Sequence, residues 1–353
     1  MCLYINNNIS TSISTSGSKK SLDDIKDEIL IDVNSKGRII DWRSKKLSTL
    51  ELAESYKRLG PDFENKHYRV RYCGTFLEFK RFINDNTIKL NQANFCKVRL
   101  CPMCSWRRSL KIYGQVSKVM NEVSKNNDYD YIFLTLTTRN CKANELSQTI
   151  DNIFNGFKKL TKRKRYKQSI KGHFRALEVT HNLNIMSDWF DTYHPHLHCV
   201  LVVNKSYFTD TKSYITQEEW TNLWKSVLRI DYIPIVDVRR FKDVVGKGIE
   251  KSIAETAKYT VKSDDYIVRD DVTNEVIETL TDDAVLVLDK ALAHRRLVAF
   301  GGILKEYHKK LNLDDMEDGD LVNTDNEDLR EDLEFIIERY SWNIGYKQYL
   351  KVD

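Results

Sequence analysis

The chain has 353 residues, and its 41% hydrophobic and 30% charged residues are typical of a globular protein and exclude a chain that is disordered throughout. No apolar run approaches the ~20 residues that cross a bilayer, and the N-terminus lacks the charged and then apolar stretches of a signal peptide. We therefore expect a cytoplasmic protein that has no membrane as a partner. The net charge is only +5, but a basic middle precedes an acidic segment at 314–334. This separation is expected when the middle of a chain meets a polyanion.

The predicted elements alternate between helical and β-rich stretches. Residues 1 to about 20 are rich in Ser, Thr and Asn, and we expect them to be disordered. Helices are predicted at 44–59, 145–162, 216–228 and 247–262, and strands at 131–137, 174–180, 196–203 and 232–241. This order predicts an α+β fold with a central, mainly antiparallel sheet flanked by helices.

Three histidines, His194, His196 and His198, fall within five residues at the start of a predicted strand. Side chains of a strand alternate, so His196 and His198 share one face. Glu178 would lie next to this pair if the strand at 174–180 forms a hairpin with theirs. Two imidazoles and a carboxylate suit a catalytic divalent ion with open positions. The alternative is that these histidines are exposed to solvent or are satisfied within the core.

A second candidate metal group consists of Cys96, Cys101 and Cys104, with Cys73 upstream. Four thiolates complete a tetrahedral zinc site, and the CPxC turn supplies two of them. Such a site would stabilise the N-terminal region. The alternative is a set of buried or free thiols.

Two basic blocks, at 96–119 and 158–175, contain no acidic residue. The first includes the start of a helix where aromatic and basic side chains could stack on bases or bind phosphates. The candidate DNA-binding residues are Trp106, Arg107, Arg108, Lys111, Lys162, Arg163, Lys164 and Arg165. The alternative for each block is a solvated surface.

The predicted helix at 247–262 carries a candidate nucleophile. Glu255 and Tyr259 are four residues apart and share one face, with Lys258 beside them and Lys262 a turn further along. A tyrosine hydroxyl, with an ordinary pKa of about 10, is a poor nucleophile until its proton is withdrawn or the phosphate it approaches is neutralised. A metal ion and an adjacent lysine would do both. Tyr266 is the alternative nucleophile, and a surface pair without function is the alternative for the motif.

Three motifs in this order resemble those of the plasmid rolling-circle replication initiators, Rep proteins of the HUH endonuclease superfamily from small plasmids of Gram-positive bacteria. They are FLTLTTRN at 133–140, HPHLHCVLVV at 194–203 and ETAKYTVK at 255–262. The resemblance extends over about residues 65–350. It implies an HUH endonuclease-like fold and an enzyme that nicks and rejoins DNA at the plasmid's double-strand origin.

The resemblance also implies roles for single residues. Tyr259 would attack the scissile phosphate, which leaves a 5′-phosphotyrosine and a free 3′-OH primer. Glu255 would activate the water that terminates the reaction, because a carboxylate base gives hydrolysis where a second tyrosine would give a second adduct. Lys258 and Lys262 would orient or neutralise the phosphate.

The metal clamp implied by the resemblance is His196 and His198, with Glu178 as the third ligand and His194 beside them. The ion would be Mg²⁺ or Mn²⁺, and histidine ligands favour Mn²⁺. The partners would be the plasmid origin, with a hairpin or single-stranded nick site, and a host helicase and DNA polymerase.

We divide the chain into four regions. They are a partly disordered N-terminal extension, a cysteine-rich basic DNA-binding region, an HUH nicking domain, and a helical C-terminal region with the acidic segment. Their bounds are 1–60, 61–120, 121–270 and 271–353. Two other functions stay open: an HUH relaxase or transposase-type nuclease, and a non-catalytic, zinc-stabilised DNA-binding regulator.

Overall fold

The protein folds around two antiparallel sheets flanked by helices, which confirms the predicted α+β class. The computed structural model describes residues 23–34, 37–126, 128–241, 261–324 and 334–352. The helices in these ranges are α1 (Trp42–Arg58), α2 (Glu64–Tyr72), α3 (Pro102–Ser124), α4 (Leu146–Leu160), α5 (Lys164–Ser169), α6 (Gln217–Leu228), α7 (Glu278–Leu292) and α8 (Ile303–Lys310). The strands are β1 (Phe76–Phe82), β2 (Ile88–Ala93), β3 (Tyr129–Thr137), β4 (Ile170–Asn182), β5 (Thr192–Asn204), β6 (Val236–Arg240), β7 (Val298–Gly302), β8 (Phe335–Asn343) and β9 (Gln348–Val352).

The larger sheet has the strand order β6-β3-β5-β4-β7 and contains the four strands that the sequence predicts. Its central strand, β5, is buried on both faces. Leu197, Cys199 and Leu201 pack into a core with α4 and α6. Val200 and Val202 point to the opposite face and pack with α3 and α8. The alternation predicted from period two is therefore confirmed, and the sheet lies between two layers of helices.

The smaller sheet has the order β2-β1-β8-β9 and joins residues 76–93 to residues 335–352. Strand β1 pairs with β8 along its whole length, from Phe76 opposite Ser341 to Phe82 opposite Phe335. The C-terminal region expected to be helical contains α7 and α8 but also three strands. The signal for β8 is weak within its own segment because its pairing partner lies more than 250 residues away in sequence.

Helix α6 fixes the end of β3 that lies nearest to the candidate site. The helix begins after Thr216, whose side chain accepts a hydrogen bond from the Glu219 backbone, and ends at Arg229 in the left-handed conformation. Trp224 is fully buried, and its Nε1 donates to the Thr137 carbonyl at 2.8 Å. Gly156 of α4 permits this packing, since a Cβ there would lie 2.7 Å from Leu228.

No helix in the described ranges has both the length and the apolar character needed to cross a membrane. The predicted helix at 247–262 lies outside the described residues, apart from its last two positions.

Candidate functional site

Glu178, His196 and His198 converge at one end of the larger sheet. Strands β4 and β5 form the predicted hairpin, and its register places Glu178 directly opposite His196. The Nε2 atoms of the two histidines are 3.1 Å apart. The Glu178 Oε2 lies 2.8 Å from the His198 Nε2 and 3.4 Å from the His196 Nε2. The three side chains are buried, with 7 to 9% exposure.

The outer nitrogen of each histidine has a partner that fixes the ring. The His196 Nδ1 donates to the His194 carbonyl at 3.0 Å, and a carbonyl can only accept. The His198 Nδ1 lies 3.3 Å from the Thr135 hydroxyl on the neighbouring strand, β3. With protons on Nδ1, both Nε2 atoms direct lone pairs toward the Glu178 carboxylate. Two Nε2 lone pairs and the Glu178 Oε2 repel one another at these distances unless they share a cation, either a proton or a metal ion.

The geometry of the group fits a divalent ion. In an octahedral complex with ligands at about 2.1 Å, neighbouring ligand atoms lie about 3.0 Å apart. The observed separations of 2.8, 3.1 and 3.4 Å bracket that value. Three protein ligands on one face of such an ion leave positions open for a substrate oxygen and water.

Electrostatics keep the carboxylate charged. Burial raises the pKa of Glu178, but where the shared cation is a proton on the imidazoles, hydrogen bonds and charge from His196 and His198 outweigh this effect and hold the pKa well below its usual value. His194 stacks on His196 with ring centroids 5.0 Å apart. Burial, together with the charge of His196, lowers the pKa of His194.

Lys262 is the predicted catalytic residue that the structure describes. Its Nζ lies 3.5 Å from the Glu178 Oε1, and half of the side chain is exposed. Asp265 attaches this segment to β4, because its two carboxylate oxygens accept from the Lys262 and His181 backbone amides at 3.0 and 3.2 Å. Lys262 is thereby fixed beside the histidine group.

The other predicted catalytic residues, Tyr259, Glu255 and Lys258, lie outside the described residues. The alternative nucleophile, Tyr266, is described. Its side chain is buried at 1% exposure, and its hydroxyl donates to the Leu100 carbonyl at 2.5 Å. A hydroxyl in that position cannot reach a DNA backbone.

The four predicted cysteines also come together, and they form the second described group of ligands able to hold a metal ion. Among the described cysteines, Cys141 and Cys199 lie elsewhere in the core as free thiols.

The basic residues predicted to bind DNA at the start of α3 serve the fold. Arg107, Arg108 and Lys111 are buried at 1 to 7% exposure. Their donors bind the backbone carbonyls of residues 317–322, and the Lys111 Nζ also pairs with Asp314 at 2.8 Å. The described part of the acidic segment covers these side chains, while Trp106 packs against Trp42 with centroids 4.7 Å apart. We therefore do not carry these four residues forward as DNA contacts.

The second predicted basic group has exposed members. Lys162, Arg163 and Lys164 are exposed, whereas Arg165 pairs with Glu219 at 2.5 Å. These residues precede β4, and Glu178 lies eight residues along that strand, roughly 26 Å from its first residue. The basic group and the histidine group therefore lie toward opposite ends of β4.

Sequence reasoning missed three residues that position these groups: Thr135, Asp265 and Lys46. Thr135 lies within the quoted motif at 133–140, where its alternation with apolar residues was a usable signal. In the sequence, Asp265 and Lys46 cannot be distinguished from ordinary charged surface residues, because only the tertiary structure shows which backbone groups they bind.

The sheet and the group of two imidazoles and a carboxylate define an α+β protein with a candidate centre for a divalent cation. A family model described as a replication protein matches residues 87–350. The chain belongs to this family, the plasmid Rep initiators, in agreement with the resemblance of its motifs.

Proteins named "Protein rep" from Gram-positive bacteria are similar to the chain. One from Bacillus amyloliquefaciens is 43% identical over 341 residues, which cover 91% of this chain and 97% of the relative. One from Streptococcus pneumoniae is 38% identical over 327 residues, which cover 92% and 95%. One from Staphylococcus aureus is 40% identical over 208 residues, which cover 58% and 86%. No solved structure matches the chain.

Proposed function

We propose that this chain initiates rolling-circle plasmid replication by nicking the double-strand origin through Tyr259. The observation that carries the proposal is the convergence of Glu178, His196 and His198 beside Lys262 in a member of the replication protein family. This arrangement supplies charge at a site where a phosphate would approach.

In the proposed reaction the Tyr259 oxygen bonds to phosphorus as the bond from phosphorus to the 3′ oxygen breaks. The tyrosine proton ends on the departing 3′-OH, which then serves as the primer. A Mg²⁺ or Mn²⁺ ion held by His196, His198 and Glu178 would polarise a non-bridging phosphate oxygen. Two residues lie between Tyr259 and Lys262, so the three Cα–Cα steps that join them span at most about 11 Å. This bound supports a nucleophile close to the histidine group.

Glu255 is proposed to act at the end of the cycle as the general base for water, with Lys258 orienting the phosphate. We expect Glu255→Ala to nick normally but to release few unit-length circles. Normal release would contradict this role.

Exposed apolar side chains beside the group support an unpaired DNA substrate. The loop between β4 and β5 exposes 77% of Ile185, 88% of Met186, 55% of Trp189 and 38% of Phe190. Strand β4 ends at Asn182, four residues and about 13 Å beyond Glu178, and the loop follows it. Aromatic faces in this position can stack on bases of an extruded single strand, and exposed Arg139 can bind its phosphates.

The reaction would take place in the cytoplasm on plasmid DNA, and a host helicase and polymerase would then use the nicked strand. Lys162, Arg163 and Lys164 are proposed to contact duplex DNA away from the nick. The protein would carry two different metal sites, of which only the histidine site takes part in the chemistry.

The test is to incubate the protein with supercoiled DNA of its own replicon and Mn²⁺, digest both, and map nucleotide-linked peptides by mass spectrometry. We expect an adduct on Tyr259, none with Tyr259→Phe, and a normal adduct with the control Tyr68→Phe, a change at an exposed tyrosine of α2. An adduct on another residue would show that this other residue, and not Tyr259, is the nucleophile.

Two other functions predict different results. A regulator would bind the origin tightly without nicking it under any divalent ion, and would keep full binding after Tyr259→Phe and His196→Ala. A relaxase or transposase-type nuclease would nick a transfer origin or a transposon end in preference to the replication origin.

A further inference from the structure

We propose that Cys73, Cys96, Cys101 and Cys104 hold a structural Zn²⁺ ion, and that the buried ammonium of Lys46 balances the charge of this site. The proposal does not depend on the nicking reaction, because the cysteine group lies apart from the histidine group and uses different ligands.

The sulfur positions match a tetrahedron around zinc. With Zn–S bonds of about 2.3 Å, the ligand sulfurs lie about 3.8 Å apart. The Sγ separations are 3.5 Å for Cys73 and Cys104, 3.6 Å for Cys96 and Cys104, and 3.6 Å for Cys73 and Cys101. A disulfide requires about 2.05 Å and joins cysteines in pairs. All four sulfurs instead lie within 4.8 Å of one another, as expected for ligands around a single ion.

Backbone amides donate to these sulfurs, as expected for thiolates. The Cys96 amide donates to the Cys73 Sγ at 3.3 Å, and the Lys97 amide to the Cys104 Sγ at 3.2 Å. The Val98 amide donates to the Cys96 Sγ at 3.4 Å.

Two residues that follow ligands have left-handed backbones, Gly74 with φ +63° and Lys97 with φ +58°. Each therefore turns the chain sharply just after a cysteine, and at Lys97 the turn brings successive amides toward the sulfurs. A lysine adopts this conformation at a cost that such hydrogen bonds can offset.

The negative charge of the zinc-bound cysteine group explains why the charged side chain of Lys46 is buried beside it. Zinc with four thiolates has a net charge of −2, and burying that charge without compensation is unfavourable. Lys46 of α1 is fully buried, and its Nζ donates to the Cys73 and Arg71 carbonyls, each at 2.8 Å. The ammonium is thus held next to a ligand residue. The N-terminus of α3 adds a partial positive charge, because Cys101 caps that helix.

The position of the ligands gives the ion a structural role. Cys73 precedes β1, Cys96 follows β2, and Cys101 and Cys104 begin α3. One ion would join these three segments and fix the helix that covers one face of the larger sheet. Four protein ligands leave no open position for a substrate, and Cys73, Cys101 and Cys104 are fully buried.

The first test measures zinc by elemental analysis in the full chain after dialysis against metal-free buffer. The double variant His196→Ala, His198→Ala provides the background, so that zinc at the histidine site does not count. We expect one zinc per chain, loss of this zinc in Cys101→Ser, and retention in Cys141→Ser, a matched change at a buried cysteine outside the group.

Because Cys101→Ser can fail to fold, the second test keeps all four cysteines. Zinc is removed from the background variant with a chelator and replaced by Co²⁺, which should give the absorption of tetrahedral thiolate coordination. Lys46→Met should lower zinc affinity about 10- to 100-fold, whereas Lys57→Met at an exposed position of the same helix should not.

The proposal is overturned if the background variant contains no zinc and the thiols of the four proposed ligand cysteines react freely with a thiol reagent in the native state. It is also overturned if Cys101→Ser keeps its zinc. Loss of nicking in a variant with normal zinc content would bear on the proposed nuclease alone.

Discussion

Thr135 and the His194 carbonyl decide which nitrogen of each histidine faces the candidate centre. The His194 carbonyl accepts from the His196 Nδ1, and the Thr135 hydroxyl can accept from the His198 Nδ1, which leaves each Nε2 as a candidate ligand. A histidine that lacked such a partner would rotate and lose part of its affinity for a metal. The residues that position His196 and His198 are therefore part of the functional prediction.

We expect His198→Ala to lower nicking at least ~10²-fold, because in the proposed reaction the metal ion would supply several kcal/mol at the transition state. Nicking rates on supercoiled origin DNA in Mn²⁺ measure the effect. His294→Asn, a change at an exposed histidine with φ +57°, is the control and should act normally. Manganese-dependent nicking that survives His196→Ala with His198→Ala would refute the clamp.

His173 should make the stability of the protein depend on pH. Burial and then the charge of Arg175 lower its pKa from 6.5 to about 4. Above pH 6.5 the imidazole is neutral in both the folded and the unfolded protein, so the free energy of unfolding has its full value with respect to His173. Below that pH the unfolded chain takes up a proton that the folded protein excludes. The free energy of unfolding should therefore fall as pH decreases from 6.5 to about 4.

Urea unfolding at pH 7.5 and 5.5 measures this effect. The His173 contribution should fall by about 1.4 kcal/mol between the two values. His173→Gln should reduce the pH dependence by that amount, and an unchanged dependence would show that the histidine titrates normally in the folded protein.

At the scale of elements, the junction between β7 and α8 depends on one glycine. Gly302 has φ +57°, and a Cβ there would lie 2.3 Å from the Lys171 carbonyl oxygen of the neighbouring strand. Both the backbone conformation and the close approach exclude a side chain.

Gly302→Ala should therefore lower the free energy of unfolding by more than about 2 kcal/mol, as measured by urea titration. Gly60→Ala is a matched control, because Gly60 has φ +92° but no atom within 4 Å of its would-be Cβ. The difference between the two variants reports the steric overlap. Equal losses would mean that β7 moves away at little cost.

The elements that the sequence predicts well are those with a strong local pattern. Strand β5 alternates through Val200 and Leu201, and this period placed both core faces and the histidine pair correctly. Charge patterns were less informative. Arg107 and Lys111 lie in a basic block, but they are buried against backbone carbonyls contributed by residues about 200 positions away. Composition cannot show such a partner, since it depends on tertiary contacts.

At the scale of the whole molecule, the last strands complete the N-terminal sheet. The Tyr349 hydroxyl donates to the Gly74 carbonyl at 2.5 Å, next to the cysteine group, and the Leu30 amide donates to the Tyr349 carbonyl at 3.0 Å. The family match reaches residue 350 and so includes β8 and most of β9. The C-terminal end is therefore part of the same folded unit as the cysteine region.

A chain that ends at residue 333 should lose this support. Removing β8 exposes one edge of β1 and removes the buried Tyr340 and Tyr349 from the core. We expect a lower unfolding temperature and faster chelator-driven release of zinc, followed by calorimetry and a zinc indicator. Ile344→Ser, in the exposed turn between β8 and β9, leaves both strands paired and is the control. If the shortened chain unfolds and releases zinc like the full chain, the two ends are not coupled, and the cysteine group is held by β1, β2 and α3 alone.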